Sequence, residues 1–227
     1  MSDPRRRRIA PLLVTGFEPF GGEVVNPSAW VAQALHGRII GDAPVLGLLL
    51  PCVFGAALDV LRDALAEHRP RLVLALGQAG GRSELSLERV AINLDDADIA
   101  DNAGRQPIEM AVVPGAPAAY FSTLPIKAMV DALRAAGMPA SVSLSAGSYV
   151  CNHVFFGLQH ALAGSDVRSG FMHLPLLPEQ AARSAGRPSL ALATMIDGVA
   201  LALATALHQR RQAVPAPAGT PHHVPSR

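Results

Sequence analysis

The apolar residues of this chain fall into two kinds of segment that alternate along it. Short apolar runs ending at glycines or polar turns predict buried strands; they cover residues 9–15, 45–50, 71–76, 141–144 and 170–174, with 85–94 as a further extended segment. Longer segments with apolar residues at helical spacing predict helices; they cover residues 27–36, 56–67, 126–136, 150–163 and 189–209. The polar and then proline-rich segment 95–119 predicts irregular structure.

Strands alternating with helices indicate the fold class. They predict a single-domain three-layer α/β/α sandwich around a twisted, largely parallel (mixed) central sheet. Sites in such folds form in the loops beyond the carboxyl ends of the strands. Residues 9–212 are the expected α/β domain, with a flexible basic arm over residues 1–8 and a disordered tail rich in proline and alanine over residues 213–227.

Composition narrows the class of protein further. The 227 residues are 50% hydrophobic and 16% charged, with a net charge of +1. A nucleic-acid partner is not expected, because counterion release needs clustered cations and the one basic cluster is residues 5–8. No apolar run reaches the roughly 18 residues of a membrane span. The two cysteines, Cys52 and Cys151, fit a reducing compartment, so we expect a soluble cytoplasmic protein with free thiols.

Cys151 stands at a position suited to a nucleophile. The predicted strand 141–144 is followed by a turn of small residues, and the apolar helix that begins at residue 150 carries the thiol in its first turn. Free N–H groups and the helix dipole at such a position favour a thiolate and can hold an oxyanion. A buried, inert cysteine is the alternative explanation.

A reactive thiol needs a base and a group that orients the base. His173 ends an apolar strand and is therefore expected at the same sheet edge as Cys151, whereas His153 follows Cys151 by two helical positions and points away from it. Glu88 is an acidic residue inside the apolar segment 85–94, which is unusual unless it is paired. A satisfied histidine at a strand end and an ordinary ion pair are the alternative explanations.

Metal and phosphate sites find less support in the sequence. The Cys-Asn-His run at 151–153 does not match zinc spacing, and no second ligand pair accompanies it. The glycine-rich stretch 77–81 follows a predicted strand but lacks both the GxGxxG pattern and a P-loop lysine. Arg82, directly after that stretch, is the one obvious phosphate-binding arginine, and it keeps a nucleoside phosphorylase-like transferase as an alternative.

Four segments of the chain resemble the type I pyroglutamyl peptidases, also called pyrrolidone-carboxylate peptidases. They are residues 14–28 (VTGFEPFGG, then NPS), 77–93 (ending in ERVAIN), 145–152 (SAGSYVCN) and 171–175 (FMHLP). The likeness spans roughly residues 12–177, and several long motifs in the same order make it specific. It implies a cysteine exopeptidase that hydrolyses the amide bond after an N-terminal pyroglutamyl residue of a peptide, without a cofactor or metal.

The resemblance also assigns residues. It implies a Cys–His–Glu triad at Cys151, His173 and Glu88 that acts through a thioester intermediate. It further implies a cytoplasmic location and a homo-oligomer, often a homotetramer.

Three further residues are implied to bind the substrate. Phe17 and Phe20 resemble the family's pocket walls, and the backbone around Gln78 resembles the segment that binds the lactam. A neutral lactam needs apolar walls and a few amide hydrogen bonds rather than a carboxylate for a terminal amine. Ordinary core packing is the alternative explanation for the two phenylalanines.

The chain departs from the family pattern at one position. Family members commonly read Asp-Ala-Arg-Ile-Pro-Asp-Asn where residues 96–102 read Asp-Ala-Asp-Ile-Ala-Asp-Asn, so Asp98 replaces an arginine. A negative charge facing a developing oxyanion would destabilise the transition state, whereas an aspartate facing solvent would be neutral. The departure keeps a non-catalytic pyroglutamyl- or peptide-binding homologue as an alternative.

Overall fold

A seven-stranded sheet forms the centre of the protein. The computed structural model describes residues 9–183 and 186–209, so the expected basic arm and the expected tail lie outside the described residues. The strands are β1 (Leu12–Phe17), β2 (Ile39–Ile40), β3 (Ala43–Leu50), β4 (Leu72–Gln78), β5 (Leu85–Glu88), β6 (Val90–Ile92), β7 (Ala119–Phe121), β8 (Ala140–Ser143) and β9 (Arg168–Leu174). The helices are α1 (Pro27–Leu35), α2 (Ala56–His68), α3 (Ile126–Ala135), α4 (Val150–Ala161), α5 (Pro178–Ala181) and α6 (Leu192–His208).

The sheet is mixed and mostly parallel, as the alternating pattern predicts. Its strand order is β2-β3-β1-β4-β9-β5-β8. The neighbours β3, β1, β4 and β9 run parallel to one another. β5 pairs antiparallel with β9 and parallel with β8, and β2 pairs antiparallel with β3. β6 and β7 form a separate antiparallel pair.

Helices cover both faces of the sheet, which gives the three layers. Alternate residues of β4 illustrate this: Leu72, Leu74 and Leu76 lie in one hydrophobic cluster, and Val73 and Ala75 lie in the other. α1, α3 and α6 pack around the first cluster, and α2 and α4 contribute to the second. A strand buried on both faces reads as a continuous apolar run, which is why the sequence shows these strands clearly.

Local signals fix several element ends. Asn26 caps α1 through its side-chain oxygen, which accepts from the Ser28 N–H at 3.0 Å, and Pro27 opens the helix as predicted. The predicted extended segment 85–94 is in fact two strands that break at Arg89. The predicted closing helix begins at Leu192 rather than at residue 189. β2, β7 and α5 were not predicted, since elements of two to four residues are too short to show a periodicity.

Candidate active site

Two of the predicted site residues meet on neighbouring strands. His173 lies near the end of β9, and Glu88 is the last residue of β5, which runs in the opposite direction. The Nδ1 atom of His173 lies 2.8 Å from the Oε1 atom of Glu88. Both side chains are buried, with 5% of the histidine and 0% of the glutamate exposed. The strand pairing therefore brings together a histidine and a carboxylate that are 85 residues apart in the sequence.

Cys151 lies over the same face of the sheet as the side chain of His173. It is the second residue of α4, and its thiol presses against the backbone of Gly77 near the end of β4. A Cβ atom added to Gly77 would lie only 2.7 Å from the Cys151 Sγ. Gly77 is the register partner of His173 in the parallel β4–β9 pair, and such partners project to the same face. The thiol and the imidazole are therefore neighbours above adjacent strands.

The first turn of α4 offers hydrogen-bond donors beside the thiol. Tyr149 is the N-cap residue, and its side chain makes no capping hydrogen bond. The N–H groups of a first helical turn have no partner within the helix. The turn also contains no acidic residue that would compete with an anion. This end of α4 can therefore receive a developing negative charge next to Sγ.

Burial sets the resting protonation of the pair. It raises the pKa of the Cys151 thiol, and the neighbouring thiol of Cys52 and carboxylate of Glu88 add to the increase. Burial also lowers the pKa of His173, against the opposing hydrogen bond to Glu88. At neutral pH both directions favour a thiol and a neutral imidazole, and so oppose the thiolate that the helix position favours.

Arg82 completes the cluster, in a place that the sequence did not predict. Its Nη1 lies 2.8 Å from the Oε1 of Glu88, and its Nη2 donates to the Ser145 carbonyl at 3.0 Å. The ion pair proposed as the alternative for Glu88 thus exists together with the contact to His173. The available signal was the position of Arg82 directly after a glycine turn and six residues before Glu88.

His153 contacts the loops around the cluster through both of its ring nitrogens. Its Nδ1 lies 2.8 Å from Oδ2 of Asp95, and its Nε2 accepts from the Gly55 N–H at 2.9 Å. The adjacent Asn152 side chain bonds to the backbone of Ile92 at both its N–H and its carbonyl group. Both of these α4 side chains are therefore occupied by partners at least 58 residues away along the chain.

The three residues implied to bind substrate lie around this cluster at different depths. Phe17 is 1% exposed and its ring lies 6.5 Å from that of Phe171, so core packing accounts for its position. Phe20 is partly buried, with its ring 5.7 Å from that of Tyr149. Gln78 ends β4, and its side-chain oxygen accepts from Gln180 at 2.9 Å. Their roles toward a substrate stay predictions.

Asp98 is exposed on a segment attached to the start of α4. The Asp96 N–H donates to the Ser148 carbonyl at 2.9 Å, and the Tyr149 hydroxyl donates to the Ala100 carbonyl at 3.2 Å. Asp98 lies between these two attachments and is exposed, as expected for a position at which the replacement of arginine has little effect.

Other kinds of site find no support in the described part of the chain. Residues 9–183 and 186–209 contain no group of three or more His, Cys, Asp or Glu residues that could hold a metal ion. None of the described helices is both long and apolar enough to cross a bilayer. A cavity of about 500 Å³ lies at the amino ends of the parallel strands, beside Asp42 and Arg71, and is remote from the cluster.

Comparison with known proteins gives a consistent result. A family model described as pyroglutamyl peptidase matches residues 10–209. The chain is 60% identical over 202 residues to the pyrrolidone-carboxylate peptidase of Cupriavidus necator, which covers 88% of this chain and 94% of that protein. It is 56% identical over 202 residues to the protein of the same name from Klebsiella pneumoniae, with the same 88% and 94% coverage.

Solved structures agree with this result. The crystal structure of pyroglutamyl peptidase I from Bacillus amyloliquefaciens has a TM-score of 0.86 and 42% identity, covering 88% of this chain and 96% of that one. A mutant pyrrolidone carboxyl peptidase from Pyrococcus furiosus has a TM-score of 0.84 and 44% identity, covering 87% and 98%.

Proposed function

Because the chain belongs to the pyroglutamyl peptidase family and is thus a cysteine peptidase, we propose that it removes N-terminal pyroglutamyl residues with Cys151 as nucleophile, His173 as base and Glu88 as orienting acid. The observation that carries the proposal is the buried His173–Glu88 contact of 2.8 Å beside the sheet position where Sγ of Cys151 meets Gly77. A nucleophile, a base and an orienting carboxylate on one face of a sheet are the parts that acyl transfer requires.

Glu88 selects the tautomer of His173. A carboxylate oxygen only accepts, so Nδ1 carries the proton in the 2.8 Å contact with Oε1. The lone pair of a neutral imidazole then lies on Nε2, the nitrogen available to the thiol. This arrangement requires His173 to be neutral at rest, which agrees with the lowering of its pKa by burial.

Acylation follows from these roles. His173 Nε2 takes the thiol proton as Sγ of Cys151 attacks the pyroglutamyl carbonyl carbon. N–H groups of the first turn of α4 stabilise the resulting oxyanion. The tetrahedral intermediate collapses, the C–N bond breaks, and the imidazolium gives its proton to the departing amine. The products of this half-reaction are a shortened peptide and a pyroglutamyl thioester on Cys151.

Deacylation repeats the proton transfers with water. His173 removes a proton from a water molecule, and the hydroxide adds to the thioester carbonyl carbon. The second tetrahedral intermediate releases pyroglutamate, and the imidazolium returns its proton to the thiolate. Glu88 keeps the imidazole oriented in both halves, so the cluster ends the cycle in its starting protonation state.

We propose that the site selects a neutral ring because the described residues that would receive it include no carboxylate to pair with a charged terminal amine. A pyroglutamyl residue is a neutral lactam, and we propose that Phe17, Phe20 and the backbone at Gln78 receive it. The supporting observation is that β4 ends at Gln78 directly after Gly77, which meets the thiol. A lactam bound at this strand end would lie within reach of the nucleophile.

The alternatives are less well supported. A phosphorylase-like role needs Arg82 for phosphate, yet its guanidinium is engaged by Glu88 and Ser145. A binder without turnover was suggested by Asp98, which is exposed. The cytoplasmic location and the homotetramer stay predictions.

The direct test is the release of a fluorophore from a pyroglutamyl amide by the reduced protein. The matched substrate is the prolyl amide, which has the same ring size but carries a cationic amine in place of the neutral lactam. We expect turnover of the first and little of the second. Equal turnover of both amides would contradict the proposed selection for a neutral lactam, and no turnover of either would contradict the proposed activity.

The fall of kcat/KM at acidic pH, the acid limb of the pH profile, should occur at a low pH. Only neutral His173 accepts the thiol proton, so kcat/KM is lost as pH falls through the pKa of that residue. Burial lowers this pKa below its ordinary 6.5, so activity should persist at pH values below 6.5. Initial rates measured from about pH 5 to pH 8 give the midpoint. A wild-type midpoint above 6.5, with the fold intact by circular dichroism, would contradict this assignment.

Gly77→Ala should displace the nucleophile. The new Cβ would lie 2.7 Å from Sγ of Cys151 and 2.8 Å from Cζ of Phe171, both packed in the core. A misplacement of about 1 Å lowers turnover roughly 100-fold, and overpacking costs about 1–3 kcal/mol of unfolding free energy. Rates with the pyroglutamyl amide and urea titrations measure the two effects.

Gly80→Ala is the matched control for Gly77→Ala. Its added Cβ would meet the flexible end of Arg187 at 3.4 Å and the Leu176 side chain at 3.8 Å, both at ordinary contact distances. It should therefore keep both turnover and stability near wild type. Wild-type turnover by Gly77→Ala would show that the thiol does not need its observed position.

A further inference from the structure

Arg82 contacts one member of the proposed triad, Glu88, and the turn that leads to another, Cys151. Its guanidinium bridges the Glu88 carboxylate, through Nη1, and the Ser145 carbonyl, through Nη2. We propose that Arg82 is a positioning residue that holds Glu88 against His173 and fixes the loop leading to Cys151. This inference rests on the proposed function of the triad.

The Glu88 carboxylate depends on Arg82 for its charge partner. Glu88 is fully buried, and its Oε1 receives both the imidazole of His173 and the guanidinium of Arg82. Its Oε2 is buried without a hydrogen-bond partner among the described residues. A buried charge that loses its partner is strongly destabilised. Without Arg82, the carboxylate would keep only the contact to a neutral imidazole.

The second contact of Arg82 reaches the turn before the nucleophile. The Ser145 carbonyl also accepts from the Ser143 hydroxyl at 3.2 Å, and the Ser145 hydroxyl accepts from the Gly147 N–H at 3.1 Å. Gly147 has a φ of +76°, so the turn needs glycine there to redirect the chain into α4. Arg82 thus binds the residue that organises this turn, and it links the acid of the triad to the loop that positions its thiol.

Arg82 also affects the protonation of His173, the proposed base. The charged groups that act on His173 in the described chain are the Glu88 carboxylate, on β5, and the Arg82 guanidinium; the thiol of Cys151, on α4, lies over Gly77 of the adjacent strand. Glu88 raises the pKa of His173, and the Arg82 cation lowers it. Loss of the cation should therefore favour the protonated imidazole, which cannot accept the thiol proton. This gives a signature that a purely structural role would not produce.

Arg82→Met is the first variant to test, with Arg62→Met as its control. Arg62 is an exposed arginine on α2 that pairs only with Asp59 among the described residues. For Arg82→Met we expect kcat with the pyroglutamyl amide to fall roughly 10- to 100-fold, KM to change little, and the acid limb to move to higher pH. For Arg62→Met we expect wild-type values. An unmoved acid limb, or unchanged kcat, in folded Arg82→Met would overturn the proposal.

Arg82→Lys tests the positive charge separately from the two contacts that the guanidinium makes. Lysine keeps the positive charge but is a point charge that cannot form both contacts of the planar guanidinium. We expect the acid limb of this variant to stay at the wild-type pH while kcat recovers only in part. Wild-type kcat for Arg82→Lys would overturn the bridging role, and it does so even if Arg82→Met fails to fold. Inactivity of the wild type would instead overturn the proposed function itself.

Discussion

Cys151→Ala should lower turnover of a pyroglutamyl amide by on the order of 10⁴-fold or more while leaving the fold intact. The Sγ atom is the one that forms the proposed thioester, and alanine offers no atom in its place. The fold should survive, because the change removes a single sulfur from a position already close to the sheet backbone at Gly77. Fluorophore release measures the first effect, and a thermal melt measures the second.

Cys52→Ala is the matched control for the nucleophile. Cys52 is also a buried thiol, at 2% exposed, and it contacts Tyr149 two residues before the proposed nucleophile. Burial raises the pKa of Cys52 to about 12, and its thiol contacts the Tyr149 hydroxyl rather than a histidine that could take its proton. We expect this variant to keep turnover of the same order as wild type. Loss of activity in Cys52→Ala with retention of activity in Cys151→Ala would identify Cys52, and not Cys151, as the nucleophile.

The outcome for Cys151 also decides between catalysis and binding. Turnover by wild type that disappears in the alanine variant establishes hydrolysis through this thiol. A folded, reduced wild type without turnover would favour the alternative of a binder, and would direct attention to Asp98. The exposed position of Asp98, on a segment held by Ser148 and Tyr149, is the reason that we expect turnover instead.

The sequence predicts the parts of this site that depend on local order. Asn26 and Pro27 mark the start of α1, and the turn of small residues before an apolar helix places Cys151 in the first turn of α4. His173 ends a strand as its apolar run indicates. Each of these features is set by residues within one or two turns along the chain, so periodicity and capping rules are sufficient to locate them.

What the sequence pattern does not contain is which strands become neighbours. β9 inserts between β4 and β5, and β5 runs against it, so that His173 has Gly77 on one side and Glu88 on the other. Arg82 was missed for the same reason. Its two partners are determined by the tertiary fold, and Ser145 is 63 residues away along the chain. The resemblance to a known family supplied the triad as a unit, whereas the residues alone left each member with an alternative.

Glu88→Gln should lower kcat by on the order of 10³- to 10⁴-fold with little change in KM. Glutamine has the shape of glutamate, so the loss would come from the charge and from the tautomer. An amide N–H₂ turned toward His173 would hold Nδ1 as an acceptor and move the proton to Nε2, where it blocks the thiol. The lost carboxylate would also leave the Arg82 cation beside the imidazolium that forms during the reaction.

Two further variants separate these causes in the same assay. Glu84→Gln, four residues earlier and without a described ion pair, removes an equal charge that makes no described contact with His173 and should retain wild-type kcat. Glu88→Asp keeps the charge but shortens the reach, so it should recover part of the activity that Glu88→Gln loses. Retention of kcat within about tenfold in Glu88→Gln would mean that Glu88 serves chiefly as the partner of Arg82. The orienting role would then not require the negative charge that lies 2.8 Å from Nδ1 of His173, because that charge would have been lost without consequence for the base.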